Sequence, residues 1–137
     1  MTLDSTGNFQ ELVGMEFVDA SPDKVVISCP VTPKLHQPYG ILHGGVYCAL
    51  VESAASIAGS VWLGDEGQVV GVSNFTNFIR ATREGTLTAT ATPLQRGRTQ
   101  QLWQVEITDD ADRLVAHGQV RLANIRDADR LGRPAGG

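Results

Sequence analysis

Hydrophobic residues recur along this chain with two different periods, and the period changes twice. Near the amino terminus, the segment NFQELVGM has the spacing of a short helix. The segments EFVDA and KVVISCPVT follow it and are typical of the two strands of a hairpin, with the turn-prone SPD between them. The first forty residues therefore predict a short helix, a β-hairpin and then a proline-rich loop.

The longest periodic segment runs from about His43 to Leu63. Its apolar residues recur at helical spacing: Val46, Leu50, Ala54, Ile57 and Val61. Two glycines stand at its start and Gly64 stands just past its end, as expected of helix boundaries. This segment predicts the one long helix. Its central residues are mostly Ala, Ser and Gly, so that a sheet can curl closely around it.

Four segments after this helix alternate at period two: QVVGVSNFTNFIR, GTLTATATPL, RTQQLWQVEI and RLVAHGQVRLANI. The turn-prone REG, QRGR and DDAD separate them, so we predict antiparallel strands with short connections. The order of elements predicts an α+β fold, with a helix packed on one face of an antiparallel sheet. We expect residues 1–126 to form a single domain and the charged, Gly- and Pro-rich residues 127–137 to form a flexible tail.

The composition agrees with one globular domain, since 42% of the 137 residues are hydrophobic and 19% are charged. No uninterrupted apolar run reaches the roughly 20 residues of a membrane-spanning helix. The first fourteen residues lack the basic start and apolar stretch of a signal peptide. We therefore expect a cytoplasmic protein with no membrane partner, in which Cys29 and Cys48 stay reduced as buried thiols.

Charge is spread unevenly along the chain. The net charge of -4 argues against nucleic acid as a partner. Residues 1–66 hold eight acids and two lysines, a balance of -6, whereas residues 67–104 hold four arginines and one acid, a balance of +3. Three of these arginines, Arg80, Arg96 and Arg98, are candidates to bind a small anion such as a phosphate. Each of them also suits an ordinary solvated surface position.

Glu52 is chemically unusual because it lies in the middle of ALVESAASIAG, an otherwise uncharged helical segment. A carboxylate there carries a desolvation cost unless it is paired or used. The helix is preceded by QPYGILHGG, which puts Gln37, His43 and Gly44 where free N–H groups and the helix dipole can polarise a carbonyl oxygen. The plain alternatives are an exposed helix position for Glu52 and a simple helix entry for HGG.

The spacing of Gly44 and Glu52 bears on the assembly of such a site. Eight positions along a helix separate them by about 12 Å, so one carbonyl group cannot touch both. If they serve one site, one subunit must supply the glycine end and another the carboxylate, which predicts a homodimer. Ser56 lies one turn beyond Glu52 and is a candidate to orient the carboxylate or a water molecule, or else a small packing residue.

Other catalytic patterns are missing from the sequence. It contains no nucleophile elbow, no paired-histidine metal motif and no glycine-rich phosphate loop. We therefore expect neither a metal nor a separate cofactor.

The segment LHQPYGILHGGVYCALVESAASIAG resembles the hotdog-fold thioesterases of the phenylacetate-degradation type. This branch includes 1,4-dihydroxy-2-naphthoyl-CoA hydrolase and one kind of 4-hydroxybenzoyl-CoA thioesterase. VVG, NFIRATREG and RGRTQQLWQVEITD are also similar to the branch, so that the resemblance covers roughly residues 35–123. It implies a hotdog fold and hydrolysis of an acyl-CoA to a free acid and CoA.

The resemblance also implies roles for single residues. Gln37 and the Gly44 N–H would bind the thioester carbonyl, with His43 assisting nearby. Glu52 would attack the thioester or activate water, and the sequence leaves these two routes open. Ser56 would position the hydrolytic water.

For the rest of the substrate, the resemblance implies that Arg80 and the Arg96–Arg98 region lie near the CoA nucleotide. It favours an aromatic acyl group, and the sequence leaves open a hydroxynaphthoyl, a hydroxybenzoyl, a phenylacetyl or a medium fatty acyl group. It further implies a tetramer of two dimers, with sites shared across each dimer interface. Phe78 departs from the pattern, because some relatives have a polar residue on the CoA side at this position. Two rival hypotheses are a hotdog dehydratase, against which HGG argues, and a non-catalytic acyl-CoA-binding module.

Overall fold

The computed structural model describes residues 8–126, which fold into two α-helices and six strands. In chain order they are α1 Asn8–Val13, β1 Glu16–Ser21, β2 Lys24–Pro30, α2 Gly44–Leu63, β3 Gln68–Phe78, β4 Thr86–Arg96, β5 Gln100–Thr108 and β6 Leu114–Ile125. Short 3₁₀ helices follow β2 and α2, at Pro33–Leu35 and Gly64–Glu66. The tail predicted at 127–137 lies outside the described residues.

All six strands form one antiparallel sheet in the order β1-β2-β4-β5-β6-β3. The strand that follows the long helix, β3, therefore lies at one edge of the sheet, and β1 lies at the other. The α+β architecture predicted from the hydrophobic periods is confirmed, because each predicted helix or strand is present within a few residues of its expected bounds.

The long helix α2 packs on the inward face of the sheet and contacts every strand. Its buried face includes Leu50, Ala54 and Ala58, which are fully buried. The sheet approaches most closely at Gly59, where a Cβ atom would meet the side chain of Leu122. The small residues of the helix thus allow the close packing that the sequence predicted, and the sheet buries its apolar surface in return.

Strand β3 contains a β-bulge that matters for the site. The register with β6 shifts between Gly71, which is opposite the buried Leu122, and Ser73, which is opposite Arg121 on the outer face. The next residue, Asn74, is opposite the buried Val120. A bulge inserts one residue and so changes which side chains face inward. Here it turns Asn74 toward α2.

The two cysteines are free thiols. Cys29 is buried, and burial raises the pKa of its thiol, whereas Cys48 is half-buried on α2. By length and composition alone, the stretch Gly44–Glu66 is apolar enough to cross a bilayer, although its apolar run includes Glu52. In the fold, 61% of this stretch is buried against the sheet, as in the core helix of a globular domain.

Candidate active site

The amino end of α2 presents backbone N–H groups to a cavity. His43 is the N-cap residue, and its Nδ1 accepts a hydrogen bond of 2.8 Å from the Gly45 N–H. Gly44 is the first helical residue, so its own N–H has no partner within the helix. The cap thus uses the imidazole to satisfy one amide and leaves the neighbouring amide available for a ligand.

The cavity has a volume of about 270 Å³ and begins at this end of the helix. Its walls come from the loop before α2, the first turn of α2 and the end of β3 with the segment after it. They are formed by Gln37, Ile41, Leu42, Gly44, Tyr47, Phe78, Ile79, Arg80 and Ala81. The structure therefore brings together three of the residues singled out in the sequence, namely Gln37, Gly44 and Arg80.

A tight loop holds Gln37 in place. Its backbone N–H donates to the Ile41 carbonyl at 2.8 Å, and its carbonyl accepts from the Gly40 N–H at 3.0 Å. Gly40 has φ +76°, a left-handed conformation that favours glycine. The side-chain Oε1 of Gln37 accepts a hydrogen bond from the Tyr39 N–H. The oxygen is thus used inside the loop. The Nε2 amide group is the donor of this side chain, and it is the part that can bind a ligand.

Tyr47 anchors the wall that follows β3. Its hydroxyl donates to the Arg80 carbonyl at 3.0 Å and is bonded to the Thr82 hydroxyl at 2.9 Å. Burial raises the pKa of the Tyr47 phenol, while the hydrogen bond to Thr82 acts in the opposite direction. The Thr82 carbonyl in turn accepts from the Leu42 N–H at 2.8 Å. These bonds tie the wall to α2 and to the loop that precedes it.

Phe78 covers the backbone of Gly44. A Cβ atom at Gly44 would lie 2.5 Å from Cε2 of the Phe78 ring, so only a glycine allows this contact. The ring also contacts Tyr47, with centroids 5.6 Å apart and planes tilted by 36°. Phe78 is nevertheless 56% exposed. The aromatic ring thus forms an accessible wall directly beside the Gly44 amide.

Glu52 lies outside this cavity, two helical turns further along α2. Its carboxylate Oε1 accepts a hydrogen bond of 3.2 Å from Asn74 Nδ2, and its Oε2 lies against the backbone of Gly71. Ser56 is half-buried on the next turn. In one chain, the structure therefore places Glu52 beside the edge strand β3, with Ser56 one turn further along α2, and both lie away from Gly44 and Gln37.

The arginines predicted to contact CoA lie in two different places. Arg80 is exposed and lines the cavity. The guanidinium of Arg96 is 5.7 Å from the Trp62 ring centroid and 6.0 Å from that of Trp103. Trp62 is near the carboxyl end of α2, so Arg96 lies about 27 Å along the helix from Gly44.

Arg96 is also held by the hairpin at the start of the sheet. It donates to the Pro22 carbonyl at 2.7 Å and pairs with Asp23 at 2.9 Å. Arg98 follows in the β4–β5 turn, where its side chain is exposed and its carbonyl accepts from Asn124 and Arg126. Within one chain, neither residue reaches the cavity.

Three residues of the site were missed by the sequence interpretation. Tyr47 has helical core spacing, and only its hydroxyl hints at an anchoring role. Gly71 and Asn74 contact the Glu52 carboxylate, and their signals were weak ones, a glycine and a polar residue within a predicted strand. Phe78 was noticed as a departure, but its contact with Gly44 was not predicted.

Comparison with known proteins identifies the family of this chain. The family model of the thioesterase superfamily matches residues 39–116, more than half of the chain. A proposed esterase of Mycobacterium tuberculosis is 51% identical over 126 residues, which are 90% of each chain. The 1,4-dihydroxy-2-naphthoyl-CoA hydrolase of Listeria monocytogenes is 36% identical over 83% of this chain and 93% of its own.

Solved structures share the fold at similar levels of identity. The crystal structure of S. sahachiroi AziG is 54% identical, covers 88% of this chain and 98% of its own, and superposes with a TM-score of 0.86. The structure of the M. tuberculosis protein superposes with a TM-score of 0.84, over 92% of this chain and 98% of its own. The chain therefore belongs to the thioesterase superfamily and is a thioester hydrolase with the hotdog fold, as the resemblance predicted.

Proposed function

We propose that this protein hydrolyses acyl-CoA thioesters to a free acid and CoA, with Glu52 as the catalytic carboxylate. One observation carries the proposal: Gly44, whose N–H is the first amide of α2 without a partner in the helix, and Gln37, whose side chain ends in a carboxamide, line the same cavity. Two N–H donors that converge on one space suit a carbonyl oxygen that gains negative charge. The Listeria relative, named as an acyl-CoA hydrolase, supports the same chemistry.

The reaction would begin when the thioester oxygen accepts hydrogen bonds from the Gly44 N–H and from Gln37 Nε2. In the general-base route, Glu52 takes a proton from water while the water oxygen adds to the carbonyl carbon. In the nucleophilic route, the Glu52 carboxylate adds to that carbon and water later hydrolyses the anhydride. In both routes the C–S bond breaks, the thiolate of CoA takes up a proton and the acid is released as a carboxylate.

In this proposal, two copies of the chain share each site. The helix α2 runs antiparallel to β3, so that Gly44 contacts Phe78 at one end of the strand while Glu52 contacts Gly71 nearer the other end. Within residues 8–126, β3 has a hydrogen-bonded neighbour on one side only. If a second copy pairs with this edge about a twofold axis near the middle of β3, its Glu52 approaches the first copy's Gly44.

Exposed apolar side chains support pairing at this edge. Val72 is 54% exposed and Phe75 is 70% exposed, and both belong to β3. Natural proteins usually cover or blunt a long apolar edge strand, because its unpaired N–H and C=O groups bind other strands. A homodimer through β3 would cover these groups. The pairing of two such dimers into a tetramer rests on the resemblance alone.

An aromatic acyl group fits the walls of the cavity best. Phe78 and Tyr47 form an aromatic corner beside the Gly44 amide, and Phe78 is exposed enough to contact a ligand. An aryl ring attached to the bound carbonyl would pack against this corner in the tilted or offset geometry that aromatic pairs favour. The Listeria relative is named for a fused-ring aromatic acyl-CoA, which supports the same choice.

The direct test is release of the CoA thiol from a panel of aromatic and straight-chain acyl-CoAs. We expect turnover of benzoyl-, phenylacetyl- or hydroxynaphthoyl-CoA, and a loss of about 10²- to 10⁴-fold in Glu52→Gln. Glu106→Gln, which changes an exposed carboxylate on the outer face of β5, is the matched control and should keep full activity. Full activity in Glu52→Gln would refute the assignment. Tight CoA binding without turnover would instead favour the binding-module hypothesis.

Sharing of sites is tested by complementation. Gln37→Ala and Glu52→Gln each inactivate both sites of a homodimer, but a mixed dimer keeps one site with both residues intact. With random pairing, co-expression of the two variants should restore about a quarter of wild-type activity, since half of the dimers are mixed and half of their sites are intact. No recovery in isolated mixed dimers would show that each site is built from one chain.

A further inference from the structure

Asn74 faces the long helix because of the bulge in β3. Strict alternation from the inward-facing Gly71 would turn Ser73 inward and Asn74 outward. The register shift after Gly71 reverses this phase, so that Asn74 is opposite the buried Val120 and its amide points at α2. Bulges commonly re-aim side chains next to active sites.

The Asn74 amide makes two hydrogen bonds to one face of α2. Its Nδ2 donates to the carbonyl of Cys48 at 3.1 Å and to Oε1 of Glu52 at 3.2 Å. The two acceptors are one helical turn apart, because Cys48 and Glu52 are four residues apart. The carbonyl therefore sets the position of the amide relative to the helix, and the amide in turn sets the position of the carboxylate.

The acceptors on α2 fix which end of the Asn74 amide faces the helix, and Thr76 binds the other end. The Thr76 hydroxyl donates to Asn74 Oδ1 at 2.7 Å. A flipped amide would point its oxygen at two other acceptors, the Cys48 carbonyl and the Glu52 carboxylate, and both contacts would be repulsive. The two acceptors on α2 thus select the orientation with the N–H group toward Glu52, and the Thr76 hydroxyl, which can donate or accept, binds the amide oxygen on the other side.

The two oxygens of the Glu52 carboxylate have different surroundings. Oε1 is bound by the Asn74 amide, whereas Oε2 lies over the backbone of Gly71, where any side chain would clash with it. Among residues 8–126, no group donates a hydrogen bond to Oε2. A lysine or arginine in this place would cancel the charge of the carboxylate. A neutral amide holds the carboxylate and leaves its charge in place.

We propose that Asn74 is a positioning residue, which holds Oε1 of Glu52 so that Oε2 is presented to the substrate or to the attacking water. This inference rests on the proposed role of Glu52. A reacting group held in one orientation reaches the transition state with a smaller loss of entropy than a freely rotating one. Asn74 would therefore contribute to kcat and little to the binding of CoA.

The test compares Asn74→Leu, which keeps the size of the side chain and removes the donor, with the wild type. We expect kcat to fall by about tenfold to a hundredfold, as for the loss of a hydrogen bond to a charged group. KM should stay within about twofold, because the substrate contacts are unchanged. Thr76→Val, which removes only the hydroxyl that binds the Asn74 amide oxygen, should lower kcat by a smaller factor. Asn74→Gln keeps an amide and should recover part of the lost activity.

A purely structural role predicts a different set of results. In that case Asn74→Leu would lower the melting temperature, but kcat per folded enzyme, measured well below that temperature, would match the wild type. If Asn74→Leu does not fold, the test rests on Thr76→Val, and a wild-type kcat in that variant would overturn the proposal.

Failure of this inference is distinguishable from failure of the proposed function. If Glu52→Gln is fully active, the role of Glu52 is wrong and the role of Asn74 falls with it. If Glu52→Gln is inactive while Asn74→Leu keeps the wild-type kcat, only the positioning role is wrong.

Discussion

Replacing Gly71 with alanine should displace the Glu52 carboxylate while leaving the fold intact. The new Cβ atom would overlap Oε2 and would lie 3.0 Å from the carboxylate carbon, whereas ordinary contacts of this kind are 3.4–4 Å. Gly71 does not have a positive φ angle, so the backbone itself accepts an alanine. The clash must therefore be relieved by the end of the glutamate side chain, which is half-buried and can shift away from β3 only by straining its hydrogen bond to Asn74.

The expected magnitudes follow from this geometry. The carboxylate carbon has to retreat by several tenths of an ångström and Oε2 by more, which also lengthens the bond to Asn74. Since a misplacement of about 1 Å in an active site can cost about a hundredfold in rate, we expect kcat to fall by about tenfold to a hundredfold. The free energy of unfolding should change by less than about 1 kcal/mol, because alanine loses less backbone entropy than glycine on folding and offsets part of the steric cost.

The assay is thiol release from the best aromatic acyl-CoA, with urea unfolding of the same preparations. Ser73→Ala is the matched control, because Ser73 lies on the same strand but is opposite Arg121 on the outer face of the sheet. We expect this control to keep both its activity and its stability. A wild-type kcat in Gly71→Ala would refute the reasoning, since it would show that the contact of Glu52 with β3 has no bearing on catalysis.

Four further predictions concern stability and the cavity wall. Arg96→Met removes contacts with two tryptophan rings and a carbonyl, and we expect urea titration to show a loss of about 2 kcal/mol in the free energy of unfolding. Asp23→Ala removes only the partly exposed ion pair and should cost less than about 1 kcal/mol. Equal losses in the two variants would contradict the expectation that the other contacts of Arg96 contribute more than the ion pair. Tyr47→Phe leaves the Thr82 hydroxyl without its partner, so we expect a loss of about 1 kcal/mol and faster hydrogen exchange in the segment after β3. Asp112 has φ +63°, which costs a non-glycine residue backbone strain, so Asp112→Gly should raise the free energy of unfolding by roughly 0.5–1 kcal/mol; a lower value by calorimetry would contradict this reasoning.

Patterns that are local in sequence were predicted well. The helix from Gly44 to Leu63 has apolar residues at regular spacing and glycines at both ends. Its existence, its bounds and its close packing could therefore be predicted from the sequence. Glu52 was visible for a related reason, since a single charge in an uncharged helix is conspicuous. The separation of Glu52 from Gly44 also followed from helix geometry, and the structure places them beside different parts of β3.

Contacts between distant segments were not predictable in this way. Arg96 was grouped with Arg80 because both belong to a basic stretch, yet its ion-pair partner Asp23 is 73 residues away. A guanidinium can bind a phosphate, a carboxylate or an aromatic face, and only the tertiary fold decides which of these is near. The sequence therefore predicted the positive charge correctly but could not separate the arginine at the cavity from those at the other end of α2.

In strand β3, the alternation of side chains at period two does not predict which residues face the helix after the bulge. Alternation that starts at Gly71 predicts Ser73, Phe75 and Asn77 on the face toward the helix. The bulge instead turns Asn74 inward, and Phe75 is opposite the exposed Gln119. Because a bulge is a property of the backbone pairing and not of any one side chain, no pattern of apolar residues reveals it. Glu52 could thus be proposed as a candidate from the helix alone, whereas the Asn74 amide that binds its carboxylate depends on an irregularity in the neighbouring strand.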